Sequence, residues 1–310
     1  MDAVNAIIPV VFMLALGYFA RRQRIISDTQ NEGIKKLIFS ILLPILVFNA
    51  CFTMSIDPKY IQLTGYMFIL QCLVIAAGTL VFRVWKTEYS HISPYLMTTI
   101  EGGNAFYPLY TSLVGAAYTS YFVLLDVPGI FMIFLVVPLL MARSTSSGMR
   151  AKDTLRSVYT NPIICALVIG LVLNLTGAAA AFAKTPVFAT YQAVANTATM
   201  PIAPLILFTL GHSFRIGRDN LPVMIKTLVV RLVLMALGAA AAFLLFPWIL
   251  DDAPLRIAVL LFLSCPPAFA SPIILEKLYK GEKDGSFCST YISLHMLATV
   301  IIFALIAAFA

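Results

Sequence analysis

Charge is scarce in this sequence. Only 11% of its 310 residues are Asp, Glu, Lys or Arg, 61% are apolar, and mean hydropathy is +0.93. A water-soluble globule carries about 25% charged and roughly 45–50% apolar residues, so that class is excluded. Alternating ten-residue segments of the outer-membrane barrel type are also missing, which leaves helical spans. There is no GxxxxGK[ST], GxGxxG, HExxH or GxSxG pattern, so no enzyme signature is present, and ATP-driven transport would need a separate subunit. Histidine is down to three residues, and the five cysteines (Cys51, Cys72, Cys165, Cys265, Cys288) show no CxxC or Cys/His spacing. Neither a metal site nor a disulfide framework is expected, and the cysteines read as small apolar packing residues. The start, Met1-Asp2-Ala3, lacks the basic region and small-residue cleavage site of a signal peptide, so the first apolar run is expected to be retained.

What the chain does have is long apolar runs. Read against their charged, Pro and Gly punctuation, they predict ten membrane spans at 3–20, 37–52, 62–82, 94–114, 118–141, 162–181, 191–214, 223–248, 254–278 and 286–309. Ten spans put both termini on one side. With that side outside the cytoplasm, seventeen Lys and Arg fall in inward loops and three (Lys59, Lys184, Arg256) in outward ones, with Arg231 inside a span. So strong a positive-inside bias supports both the orientation and the count. The net charge of +7 therefore orients the chain in a bilayer rather than binding nucleic acid.

The longest polar connection, 143–160, divides the spans five and five. PILVF at 44–48 matches PLILF at 204–208, Trp85 matches Trp248, NAF at 104–106 matches PAF at 267–269, and Tyr121 matches Tyr291, at offsets of 160, 163, 163 and 170. Four matches in chain order point to duplication. Because five is odd, the second copy enters from the opposite face, so the halves are expected to be inverted repeats, a signature of transporters. The units are 1–141, a cytoplasmic basic linker at 142–160, and 161–310.

The fourth and ninth spans carry the chemistry. The fourth reads TTIEGGNAFYP from Thr98 to Pro108, placing a carboxylate, two glycines, an amide and a proline near the bilayer centre. The ninth reads SCPPAFASP from Ser264 to Pro272. Proline lacks an N–H and clashes with the preceding turn, so both helices are expected to break at mid-membrane, where half-helix amides can meet an anion and freed carbonyls a cation. The plain alternative for either span alone is a kinked helix. Ionisable residues within spans are expensive and face protein or water. Glu101 lies at the first break and can titrate or coordinate a cation. Asp126 is mid-span in the fifth, Arg231 lies in the eighth and His295 in the tenth, where a structural pairing of Arg231 or His295 with Asp126 is the plainer expectation. Asn161-Pro162 reads as a helix start, and the Asn174-Leu-Thr176 sequon is discounted because it sits at a span end.

Ten spans with outside termini, a basic central loop, NPIICALVIG from Asn161, PLILFTLG from Pro204 and PPAFASPII from Pro266 resemble the auxin efflux carrier family of permeases over essentially the whole chain. The resemblance implies the fold shared with bile acid symporters: a scaffold of helices 1, 2, 6 and 7, and a transport core of helices 3–5 and 8–10 whose fourth and ninth members cross at their breaks. It also implies elevator-like alternating access, organic-anion substrates and a homodimer through the scaffold. The crossover positions, and hence the substrate-binding residues, would be Gly103, Asn104, Ala105 and Pro108 on one side and Pro266, Pro267, Ala268 and Pro272 on the other. Pro267 stands where an asparagine would face Asn104, and Glu101 is this chain's own. The short central loop favours a bacterial permease in the inner membrane, whose relatives are associated with malate and malonate.

The expected function is a secondary transporter of small organic anions with no cofactor and either H+ or Na+ as coupling ion. Glu101, Asp126, Arg231 and His295 are the coupling candidates. A sodium-coupled bile-acid-like symporter, a cation/proton antiporter, and a membrane receptor with the same pocket are the alternatives.

Overall fold

The computed structural model describes residues 2–54, 58–102, 106–115, 118–144, 160, 162–213 and 220–309. Gly103, Asn104, Ala105 and Asn161, and most of the basic linker, lie outside these residues. The described chain is helical throughout, with no strand. Its helices are α1 (Asp2–Arg22), α2 (Asp28–Leu37), α3 (Leu43–Thr53), α4 (Pro58–Trp85), α5 (Ser93–Thr98), α6 (Tyr107–Val114), α7 (Thr119–Phe131) and α8 (Val137–Ser144) in the first half. The second half holds α9 (Pro162–Leu175), α10 (Ala178–Phe182), α11 (Val187–Thr199), α12 (Ile202–Ser213), α13 (Leu221–Leu245), α14 (Trp248–Asp251), α15 (Ala253–Ser264), α16 (Ser271–Ile274) and α17 (Glu282–Phe309).

Six helical runs are long and apolar enough to cross a membrane: Asp28–Thr53, Lys59–Trp85, Tyr121–Met141, Val187–Ser213, Leu221–Leu245 and Glu282–Ala308. Pro162–Leu175 and Ala253–Ser264 are apolar but shorter. The run from Asp28 begins nine residues before the apolar stretch that predicts it. Its start is set by a capping box, in which Ser27 Oγ accepts from the Gln30 N–H at 3.2 Å and Gln30 Oε1 accepts from the Ser27 N–H at 2.8 Å. A π-helical stretch, Ile38–Leu42, then joins α2 to α3 without interrupting the helix.

Large apolar side chains are exposed along the helices, while Glu101 and Arg231 are buried within apolar stretches of the chain. On α13, Val229, Val233, Leu237 and Leu244 are exposed while Thr227, Arg231, Met235 and Gly238 are buried. Residues three and four apart share a helix face, so one stripe meets lipid and the opposite one carries a guanidinium into protein.

Two helix contacts in one part of the fold require glycine. A Cβ on Gly17 of α1 would run into the Phe208 carbonyl of α12, and one on Gly211 of α12 into the Leu14 carbonyl of α1. The two backbones touch reciprocally, as close-packed membrane helices do through small residues. A Cβ on Gly170 of α9 would likewise lie 2.9 Å from the Phe48 carbonyl of α3. Asn174 then ties the end of α3, donating through Nδ2 to the carbonyls of Cys51, Phe52 and Met54 at 2.8–3.0 Å.

Gly211→Val is therefore expected to lower stability by about 1–3 kcal/mol through forced separation of α1 and α12. Gly33→Ala, at a helical position with open space around it, should raise stability by roughly 0.5–1 kcal/mol. Thermal unfolding of the detergent-solubilised protein checks both; equal melting temperatures for the two variants would refute the contact.

Candidate functional site

Helical geometry stops in two places where the sequence supplies proline. α5 ends at Thr98, Thr99 is extended (φ −77°, ψ 145°), and residues 99–102 are non-helical. Helix resumes at Tyr107 with Pro108 as its second residue, where a missing N–H costs nothing. α15 ends at Ser264 because Pro266 drives Cys265 into the extended region (φ −62°, ψ 151°). Residues 265–270 are non-helical and wholly buried, Pro266, Pro267 and Ala268 among them, and Pro272 lies in the first turn of α16.

The two non-helical stretches satisfy one another. The Glu101 N–H donates to the Pro266 carbonyl at 2.8 Å, and the Phe269 N–H donates to Glu101 Oε2 at 2.8 Å. Thr99 Oγ1 and Ser271 Oγ lie 3.1 Å apart across the same junction. Glu101, 7% exposed, thus bridges both stretches with its backbone and its side chain. The Phe269 amide, one of the donors the sequence offers to a substrate anion, is occupied by the chain's own carboxylate.

Neighbouring helices take up further freed carbonyls. Arg231 Nη2 donates to Thr99 O at 2.7 Å from a fully buried position on α13, and the guanidinium also lies beside the Tyr291 hydroxyl. Thr299 Oγ1 on α17 donates to Ser264 O at 2.6 Å, and His295 Nδ1 lies 3.3 Å from the same hydroxyl. Thr299 Oγ1 also lies 3.0 Å from the His295 carbonyl, and His295 Nε2 has no hydrogen-bond partner among the described residues. Asp126 stands beside the first stretch, where a Cβ on Gly102 would lie 3.0 Å from its Oδ1 and would overlap the Phe262 ring. Arg231 engages the backbone of residue 99, and His295 Nδ1 lies beside Thr299. Glu101, Asp126 and Arg231 are all within electrostatic reach of the Cys265 thiol. Among the described residues, no three His, Cys, Asp or Glu side chains are gathered as metal ligands.

A crevice opens next to this junction. One wall is α2, its π-helical continuation and α12; the other is the second non-helical stretch with α16 and α17. It is lined by Lys35, Thr209, Ser213, Phe269, Pro272 and Ser289, with apolar residues between them. Pro272 was expected at such a site. Lys35 enters the sequence argument only as an orienting charge, and Thr99, Ser271 and Thr209 not at all. The one available signal was the hydroxyl flanking each proline-rich motif.

A family model described as "Membrane transport protein" matches residues 2–308. The chain belongs to the auxin efflux carrier family of membrane transport proteins. No curated protein matches the sequence. In this transporter the Glu101 carboxylate bridges the two stretches, so its removal has a calculable cost. Glu101→Ala should destabilise the transporter by about 1.5–3 kcal/mol, the range for a hydrogen bond to a charged group, while Glu101→Gln keeps an acceptor for Phe269 and loses less. Thermal melting of the purified variants measures this, and an Ala variant as stable as wild type would exclude the bridge.

Proposed function

We propose that the transporter is a secondary carrier of small organic anions such as carboxylates, working by elevator-type alternating access. The observation that carries this reading is the paired interruption at 99–102 and 265–270, one in each half of the chain and each hydrogen-bonded to the other. Interrupted helices meeting at the membrane midplane are where carriers of inverted-repeat build hold their substrates. In this reading the chain crosses the inner membrane ten times as two inverted five-helix repeats, with both termini extracytoplasmic, and helices 4 and 9 are the broken crossing pair. The reciprocal packing of α1 with α12 and of α9 with α3 supports a scaffold of helices 1, 2, 6 and 7, through which a homodimer would form. Helices 3–5 and 8–10 make the moving core.

The substrate anion lies beside Asn104 and Pro108 on one side and Pro267 and Pro272 on the other. The buried charges favour a coupled mechanism. Two carboxylates, Glu101 and Asp126, and one guanidinium, Arg231, all lie within electrostatic reach of the Cys265 thiol, so a proton or sodium ion would bring this group to neutrality. That same imbalance supports the second reading, a sodium-coupled symporter of bile-acid type.

Uptake of malate and malonate into proteoliposomes tests the function. Asn104→Ala is expected to cut the initial rate by about tenfold or more, the equivalent of one buried hydrogen bond, with the protein still folded in the membrane. Glu101→Gln is expected to flatten the pH dependence of uptake if protons couple transport. An unchanged pH profile together with a requirement for sodium would favour the symporter, and the absence of uptake for every carboxylate and every gradient would refute the carrier.

A further inference from the structure

Away from the junction, the loop that leads from α4 into α5 is docked on the start of α17. Tyr89 lies flat on Phe287, with ring centroids 3.9 Å apart and planes 8° from parallel, and both residues are 1% exposed. Two residues further on, His91 Nε2 lies 3.0 Å from Asp284 Oδ2. The same oxygen accepts the Lys280 N–H at 2.6 Å. A carboxylate has no proton to give, so the imidazole is the donor, and one oxygen of Asp284 ties residues 86–92 to residues 279–281.

The two side chains differ in their access to water. That of Asp284 is 6% exposed, whereas that of His91 is 18% exposed and can exchange a proton with solvent. A buried carboxylate without a countercharge is costly, and an imidazolium supplies the countercharge as well as the hydrogen bond, where a neutral imidazole supplies the bond alone. Histidine changes charge between pH 5 and 8. Tyr279 and Cys288 also lie within electrostatic reach of Asp284, but a phenol and a thiol are neutral over that range. The surrounding charges, Glu88 on the loop, Lys226 on α13, Glu276 and Lys277 before α17, and Lys280, Glu282 and Lys283 at its start, are all exposed. Exposed Lys and Glu hold their charge from pH 5 to 8, so the imidazole is the group that changes.

We propose that His91 and Asp284 form a proton-binding site that latches the 86–92 loop onto α17. With the proton bound the two are an ion pair and the loop is held; without it the loop loosens. Proton binding and closure favour each other, so the latch is firmest at acid pH and weakens as pH rises through the range in which histidine titrates. The loop is also the mounting of α5. The Tyr89 carbonyl accepts from both the N–H and the Oγ of Ser93 at 2.9 Å, and α5 then ends at Thr98, beside the Thr99 carbonyl that Arg231 holds. α17 carries Thr299, which holds the Ser264 carbonyl of the other stretch. The latch thus joins the far ends of two helices that reach the junction. In the ten-span reading it faces the cytoplasm, so cytoplasmic acidity sets how firmly α5 is supported. The site itself does not depend on what the transporter carries.

Hydrogen exchange of the full-length purified protein at about pH 5.5 and about pH 7.5, corrected for the intrinsic rate of each amide, tests this with no substrate present. In the wild type the amides of 86–92 should exchange about threefold or more slowly at the lower pH. Those of α9, a helix without histidine, should keep one rate. His91→Gln, at a partly exposed position, keeps a donor for Asp284 but no titrating ring, and Asp284→Asn keeps an acceptor for Lys280 but no charge. Each should abolish the pH difference in 86–92. Equal protection of the wild-type loop at both pH values would overturn the site, and so would a His91→Gln or Asp284→Asn protein that keeps the wild-type pH dependence. Either result leaves the carrier reading intact, because uptake of carboxylates decides that separately.

Discussion

A peptide group in hydrocarbon has no water to bond, and leaving one unsatisfied costs several kcal/mol. The rest of this structure follows from that constraint. An uninterrupted helix meets it internally, which is why most of the described chain is helical. Where the helices stop at Thr98 and, ahead of Pro266, at Ser264, the freed groups must find partners elsewhere. They find them chiefly in each other, with Glu101 contributing both its amide and its carboxylate.

This dependence explains where the buried polar side chains sit. Arg231, Thr98, Thr99, Ser271 and Thr299 are all fully buried; Arg231 donates to the Thr99 carbonyl, Thr98 to that of Gln71 on α4, and Thr299 to that of Ser264. A guanidinium enclosed in protein is a costly arrangement for stability alone. It is intelligible in a membrane transport protein, because a junction built from exchangeable hydrogen bonds can be rearranged by an ion or a substrate, whereas a continuous helix cannot.

The packing away from the junction is of another kind. α1 and α12 meet backbone to backbone at Gly17 and Gly211, and α9 meets α3 at Gly170, contacts with no charge and no side chain to rearrange. Rigid glycine contacts on one side and a hydrogen-bonded junction on the other give the crevice between them walls of unlike character. Lys35 stands on the glycine-packed side, and Phe269 and Pro272 on the junction side.

Much of this was legible from residue order. Apolar runs marked the helices, prolines at 108, 266, 267 and 272 marked the two interruptions, and Glu101, Asp126, Arg231 and His295 stood out because charge in an apolar run is expensive. Helix ends were less legible: α2 begins at Asp28 because Ser27 and Gln30 cap it, a local signal that hydropathy averages away. Sequence by itself determined that the chain is a helical membrane protein with weak points in two of its helices, since helix formation and proline's missing N–H are local properties. Only tertiary structure decided that Glu101 would bond Phe269, that Arg231 would reach Thr99, and that Lys35 would line the crevice. Those pairings join residues far apart in the chain, and hydrogen-bond partners at such separation are chosen by how helices cross, which no local pattern of residues encodes.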